Sequence, residues 1–357
     1  MRYFIYLLIK DTFYEYKCHY YGQRMKTIQN ITPEAFMDQI IHNAIFGFII
    51  GDAIGVPYEF KTRGLFKCTD MRASTDADFH FALPLGTWSD DTSLMLSVLD
   101  ALTLIRNPNA QHHMYQRFRD NAIQWVKNGK FTNHGTPYPF DIGNSCRKGI
   151  IELQTGRRNT AADLASSNGN GGLMRIPPLA LLYVINDKNI RKYVKNDKSL
   201  MSFIQLFNSC SHNHAISNIG CLIYIRLAEQ LIKGLDMRTA LSNVVHNINK
   251  QYKIPEYQRI WDLSILNAGI DTVKSSGCVV DTLEAAIWCC GNSNSYENAV
   301  LTAVNLGDDT DTVAALTGFL SGIYHKNIPK IWQTNIKDIQ IVENVCNNFM
   351  EVLYGGV

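Results

Sequence analysis

Two short acidic runs stand about 220 residues apart in the 357-residue chain, Trp88-Ser89-Asp90-Asp91-Thr92 and Gly307-Asp308-Asp309-Thr310-Asp311-Thr312. A single Asp, Ser or Thr at a helix start needs no further chemistry, because such residues satisfy free backbone amides and complement the helix dipole. Asp308, Asp309 and Asp311 are different: three carboxylates within four positions repel one another, and a bound cation is the simplest offset. Oxygen ligands with no adjacent His or Cys suit Mg²⁺ or Mn²⁺ better than Zn²⁺. An EF-hand is excluded, since counting from Asp309 puts Ala314 where that loop needs Gly and Leu320 where it needs a bidentate Glu. Two such runs facing each other could hold two ions roughly 3.5–4 Å apart, the spacing that fixes and activates a water.

Two other stretches are rich in glycine. Gly47-Phe48-Ile49-Ile50-Gly51-Asp52-Ala53-Ile54-Gly55-Val56-Pro57-Tyr58-Glu59 reads by itself as a turn with small residues for close packing, with Glu59 beyond a helix end. Ser167-Asn168-Gly169-Asn170-Gly171-Gly172-Leu173-Met174-Arg175, ahead of Pro177-Pro178, would let backbone N–H groups approach an anion such as pyrophosphate. It is neither a Walker loop nor a dinucleotide fingerprint. Cys210-x-His212-x-His214 is not a zinc spacing, and a histidine on a helical segment is by default a satisfied structural residue.

Helices must position these groups. After a Thr32 cap and Pro33, the residues Phe36, Met37, Ile40, Ile41, Ala44, Ile45, Phe48 and Ile49 repeat at i, i+3, i+4 and predict a buried helix running into Gly51-Asp52. A second begins near Asp90-Asp91 with the stripe Leu94, Met95, Val98, Leu99, Leu102 and Ile105, and Asn107-Pro108 ends it. Asp281 and Glu284 read as a capping box for a segment ending at Gly291, and Ser295 as the cap of a helix through Val304. A last helix runs from Thr312 through Leu316, Phe319, Leu320 and Ile323. Loops are expected over 61–85, 130–144 and 166–178, with a surface excursion over 186–199. Alternating strand patterns are hard to find, so the expectation is an all-α fold: one large domain over 32–357, preceded by an extension of unknown role over 1–31.

The composition narrows the function classes. With 46% hydrophobic and only 18% charged residues, against a typical ~25% charged, the chain must be globular. Thirty-four Lys+Arg against thirty-two Asp+Glu is too balanced for counterion-release binding to nucleic acid as the main activity. Nine cysteines without regular spacing point to a reducing compartment. The apolar run Tyr3 to Ile9 is shorter than a signal-peptide core and far short of the ~20 residues of a membrane span, and Lys10, Asp11 and Glu15 follow it. A cytoplasmic protein without a membrane segment is expected, with Met25 as an alternative beginning. The lack of a coiled-coil seam favours a monomer.

Taken in order, the four motifs resemble the ADP-ribosylglycohydrolase family, which includes the dinitrogenase-reductase-activating glycohydrolases. Its members carry a Gly-Asp segment ending in Glu, a Trp-Thr/Ser-Asp-Asp-Thr motif, a Ser-x-Gly-Asn-Gly-x-x-Met-Arg loop and a Gly-Asp/Gly-Asp-x-Asp-Thr motif near the C-terminus. The likeness spans roughly residues 38–325 and implies an all-α orthogonal helical bundle. It implies two Mg²⁺ or Mn²⁺ ions on Ser89, Asp90, Asp91, Asp309, Asp311 and Thr312, with Ser89 in place of the commoner Thr and Asp308 outside the ligand set. Substrate contacts are implied for Ser167, Gly169, Asn170, Gly171 and His212, with Asp52 bracing the site. Glu59 at the mouth, and Asp141 in the bacterial-type segment Phe140-Asp141-Ile142-Gly143, are the implied general acid or base.

The activity so implied is hydrolysis of the α-linked bond at C1″ of an ADP-ribose attached to a protein or a small conjugate. That segment tilts the acceptor mildly toward arginine. Serine, O-acetyl, poly(ADP-ribose) and nucleic-acid conjugates stay open, because the loops over 61–85 and 130–144 carry no readable code. The competing expectation is a catalytically silent ADP-ribose-binding or crystallin-like structural member, since fold does not fix function. A metal-free two-carboxylate glycosidase fits less well, because the acidic groups cluster with hydroxyls instead of flanking a cleft singly.

Overall fold

The computed structural model describes residues 33–78, 81–157, 159–185 and 187–354. The expectations for Thr32, the 1–31 extension and Asn186 lie outside those residues. Helices of ten residues or more are α1 (Pro33–Gly55), α2 (Asp90–Leu102), α3 (Ala110–Asn128), α4 (Asn144–Thr155), α5 (Asp197–Asn208), α6 (Ala215–Ile232), α7 (Met237–Asn247), α8 (Val279–Gly291), α9 (Tyr296–Asn305), α10 (Thr310–Tyr324) and α11 (Gln340–Tyr354). Among the described residues the β structure is a single isolated bridge between Gly169 and Cys278, so the all-α expectation holds.

The centre of the bundle is the α1–α10 pair. The glycine-rich stretch is not a turn: α1 continues through Gly51 and Asp52 to Gly55. Gly47, Gly51 and Gly55 recur once per turn on one face, and a Cβ on each would run into Gly318, Ala314 and Asp311 of α10. Gly318 and Gly322 reply from the other side against the carbonyls of Gly47 and Asn43. The glycines cost helix propensity, roughly 1 kcal/mol each against Ala, and the backbones close together in return. Tyr296 and Thr310 tighten the pair by donating to the carbonyls of Gly47 (2.8 Å) and Gly55 (2.8 Å). Tyr224 on α6 donates to Leu316 of α10 at 2.9 Å. Helices α1 and α6 are long and apolar enough to cross a membrane, but 94% and 78% of those windows are buried inside the fold.

Two local expectations are corrected. Helix α8 starts at Val279, before Asp281, so Asp281 and Glu284 form no capping box. Asp281 instead accepts from the Ser276 hydroxyl at 2.6 Å, and Glu284 pairs with Arg259 at 2.9 Å. The polar stretch after Asn186 is more than a surface excursion, because Ile190, in a short helix capped by Asp187, and Val194 are both buried. Ser295 does cap α9, accepting from the amide of Asn298. The loop after Glu59 is irregular and gathers on Asp78, which accepts from Lys61, Arg72 and Thr75. Arg72 also donates to the Pro57 carbonyl and lies over the Tyr58 ring, tying that loop to the end of α1.

Candidate active site

The acidic wall is assembled by helix ends. Ser89 caps α2 by accepting the Asp91 amide. Asp52, in the interior of α1, accepts from the amides of Ser89 (3.0 Å) and Thr92 (3.0 Å) and from the Thr92 hydroxyl (2.6 Å), so one helix satisfies the start of another. Helix α10 starts immediately after Asp309. Gly307 takes φ +77°, where a Cβ would press on the backbone of Lys61 and Arg63. The backbone bonds Phe60 N–H to Asp308 (2.7 Å) and Asp308 N–H to Lys61 (2.9 Å) then hold Glu59 beside the second acidic run.

Two carboxylate groups result, each with one oxygen per residue within 4.8 Å of the others: Asp52, Asp91 and Asp311, and Glu59, Asp141 and Asp311. Asp311 belongs to both. Thr312 reaches Asp91 at 3.4 Å, and the amide of Gly143 reaches Asp90 at 3.4 Å. Burial, reinforced by Asp309, Asp90 and Asp52, pushes the Glu59 carboxyl up to about 9. Burial raises Asp52 to about 6 against the pull of its Thr92 and Ser89 bonds. Asp91, Asp141 and Asp311 are raised well above the carboxylate range by burial and then by neighbouring carboxylates, first Asp52, Asp90 and Glu59 respectively. Asp91 Oδ2 and Asp309 Oδ1 are buried without a hydrogen-bond partner. Buried carboxylates that repel, with spare oxygens and hydroxyls among them, fit hard divalent cations.

Opposite this wall, a cavity of about 260 Å³ is closed by Gly169, Asn170, Gly171 and His212, with Gly143, Asn144 and Ser145 at the start of α4. The amino end of a helix carries partial positive charge and free amides, which favours an anion there. Asn170 donates its side-chain amide to Asp309 (2.8 Å) and Thr282 (3.0 Å), which joins the two walls. Gly171 is tight: a Cβ there would lie 2.8 Å from His212 Cε1 and 2.9 Å from Cys146 Sγ. His212 is buried, and its pKa falls to about 3 through desolvation and the neighbouring Arg175.

The structure brings most of the expected residues together. Glu59, Asp90, Asp141, Gly169, Asn170, Gly171, His212, Asp309, Asp311 and Thr312 line the cavity. Asp91 and Ser89 sit just behind it, buried at the start of α2. Asp52 is fully buried beneath the floor of the cavity, where it joins a carboxylate group and holds the start of α2. One residue differs from expectation. Ser167 turns away and donates to the Ala161 carbonyl at 2.7 Å. Sequence reasoning passed over Thr92, whose hydroxyl holds Asp52, and Phe60, which borders the cavity with 55% of its surface exposed and φ at +61°. Arg175, buried at the end of the glycine loop, is a third. Met-Arg at the end of a glycine loop was the available signal.

Comparison with known proteins places this geometry in context. A family model described as ADP-ribosylglycohydrolase matches residues 33–356. The chain is 30% identical over 328 residues to ADP-ribosylarginine hydrolase Tri1 of Serratia proteamaculans, covering 88% of this chain and 80% of that protein. It is 28% identical over 330 residues to the Pseudomonas putida protein of the same name, covering 90% and 80%. The ADP-ribosyl-[dinitrogen reductase] glycohydrolase of Rhodospirillum rubrum is 24% identical over 299 residues, covering 82% and 88%. A solved ADP-ribosylglycohydrolase-related protein complex superposes with a TM-score of 0.68 at 22% identity, covering 88% of this chain and 98% of that one, which speaks to the fold alone.

Proposed function

Since the chain belongs to the ADP-ribosylglycohydrolase family and is a glycosidic-bond hydrolase, we propose that it removes ADP-ribose from arginine side chains by cleaving the C1″–N bond. The observation that carries this reading is the placement of two buried carboxylate groups sharing Asp311 against a glycine-lined wall. The arginine acceptor is supported by the names of the Serratia and Pseudomonas relatives. A cytoplasmic setting agrees with the free cysteines among the described residues.

Asp52, Asp91, Asp311, Asp90, Asp309, Thr312 and Ser89 would hold one or two divalent cations, Mg²⁺ or Mn²⁺. When bound, such ions supply Lewis-acid polarisation and a more acidic water. The chain's own groups do the rest. The amides at Gly169, Gly171 and the start of α4 receive the pyrophosphate, which sets the distal ribose, the one that carries C1″, against the acidic wall. The carboxylates there stabilise the positive charge that grows on C1″ as its bond to nitrogen stretches. In the overall hydrolysis, water forms the new C1″–O bond and the departing guanidine nitrogen gains a proton. Glu59 and Asp141 border the cavity with raised proton affinity and are the groups able to move that proton.

The test is a panel of defined conjugates, ADP-ribosyl-arginine, ADP-ribosyl-serine and O-acetyl-ADP-ribose, incubated with Mg²⁺, Mn²⁺ or EDTA while free ADP-ribose is quantified. Release from the arginine conjugate that EDTA abolishes is expected. Preferential cleavage of another conjugate would overturn the acceptor assignment, EDTA-resistant cleavage the metal assignment, and binding without release the hydrolase reading.

A further inference from the structure

Arg175 is 2% exposed; among the described residues no carboxylate lies within ion-pair distance of it, its terminal nitrogens donate to Cys146 Sγ (3.2 Å) and Cys210 Sγ (3.5 Å), and Asp90 acts on it only at longer range. A buried guanidinium in that position needs a reason, because desolvation of an unpaired charge is costly. Its Nε donates to the Gly171 carbonyl at 2.6 Å, fixing the tightest point of the glycine loop. One terminal nitrogen donates to Ser211 Oγ at 2.9 Å and lies 3.4 Å from His212 Nδ1. Ser211 Oγ is in turn 2.8 Å from His212 Nδ1.

The direction of these bonds follows from what each group can do. Arginine only donates. Ser211 therefore uses a lone pair on Arg175, and its single proton is free for His212 Nδ1. The reverse arrangement, Nδ1–H donating to Ser211, would leave the serine proton only the sulfurs of Cys146 and Cys210, weaker acceptors than an imidazole nitrogen, and turn two donors toward each other at the Arg175 edge. Nδ1 is thus the acceptor, and the ring proton sits on Nε2. Nε2 has no hydrogen-bond partner among the described residues, and the ring, 3% exposed, borders the cavity beside Gly169 and Gly171. A Cβ built on Gly169 would lie 3.5 Å from Nε2.

We propose that Arg175, acting through Ser211, is a positioning residue that locks His212 in the Nε2–H tautomer, so that a neutral donor meets a phosphate oxygen of the bound nucleotide. Arg175 supplies long-range attraction for the anion from below the loop, while the imidazole supplies the short-range bond. A second positive charge so close to the guanidinium would be repelled, and the donor therefore works uncharged. The identity of the ligand rests on the hydrolase reading, whereas the tautomer does not.

The experiment uses the full chain labelled with ¹⁵N. Long-range proton–nitrogen correlation at pH 7 should show His212 with an unprotonated Nδ1 and a protonated Nε2. Ser211→Ala should disturb that pattern and weaken binding of ADP-ribose and of inorganic pyrophosphate by about tenfold in calorimetry, as expected for one lost hydrogen bond. Arg175→Lys should weaken pyrophosphate binding further, and a failure of that variant to fold leaves Ser211→Ala as the deciding case. An Nδ1–H tautomer or an imidazolium in the wild type, or a Ser211→Ala variant with unchanged shifts and affinities, would overturn the proposal. If the tautomer is as stated but no conjugate is cleaved, the hydrolase reading falls alone.

Discussion

At the scale of single residues, the site is a balance between burial and charge. Asp309→Asn and Asp90→Asn remove a cavity-lining carboxylate while keeping its shape, so each should fold normally and lose at least about a hundredfold in turnover and in Mg²⁺ affinity. Unchanged rates in either variant would remove the basis for a cation at that position. Without metal, protons must neutralise the cluster. Glu59 and Asp52 have folded-state pKa values of about 9 and about 6, above their ordinary 4.5 and 3.8, so the folded chain holds protons that the unfolded chain releases. Stability in EDTA should accordingly be greatest below about pH 4 as far as these groups decide it, and fall as pH rises toward 9. Urea denaturation at pH 5 and pH 8.5, with and without saturating Mg²⁺, checks this; a metal-free protein equally stable at both would contradict it. Phe60 holds φ at +61° with its ring more than half exposed. Replacement by Gly should relieve that backbone and stabilise the fold by about 0.5–1 kcal/mol, readable as a raised denaturation midpoint.

At the scale of elements, the α1–α10 crossing sets the distance between Asp52 and Asp311. Gly51→Ala would drive a Cβ into the Ala314 carbonyl, and backbone cannot yield as a side chain tip can. A loss of about 3 kcal/mol or more is expected, together with weaker Mg²⁺ binding because the carboxylates are pried apart. A variant of wild-type stability would show that the helices can separate freely. The same crossing explains what the sequence disclosed and what it concealed. Ser89, Asp90 and Asp91 announced a helix start because capping is local, and α2 begins there. Gly47, Gly51 and Gly55 read as a turn because glycine usually marks one, and only the partner stripe on α10 reveals them as a contact face. The false capping box at Asp281 has a related origin: Ser276, close by in sequence, claims Asp281, while Glu284 is claimed by Arg259, which lies outside a local window.

At the scale of the molecule, a site built from both ends of the chain ties ligand binding to global stability. A cation that binds only the folded state at a hundredfold excess over its Kd should contribute roughly 2.7 kcal/mol, seen as a rise of several degrees in Tm that EDTA reverses. A Tm indifferent to both would argue that the carboxylates hold no ion. The all-helical class was legible because apolar residues recur at helical spacing along α1, α2, α9 and α10. The joining of Asn170 to Asp309 was not, because a contact across 139 residues leaves no periodic trace.

Asp52 and Asp311 are separated by more than two-thirds of the polypeptide. During synthesis, α1 therefore leaves the ribosome with its glycine face bare and waits for a mate that is translated much later. A stop codon anywhere before Thr310 would release a product lacking the hub helix, with aspartates stranded in an unfinished interior. Such truncations belong to the clients of chaperones and proteases, and partial activity is not to be sought among them.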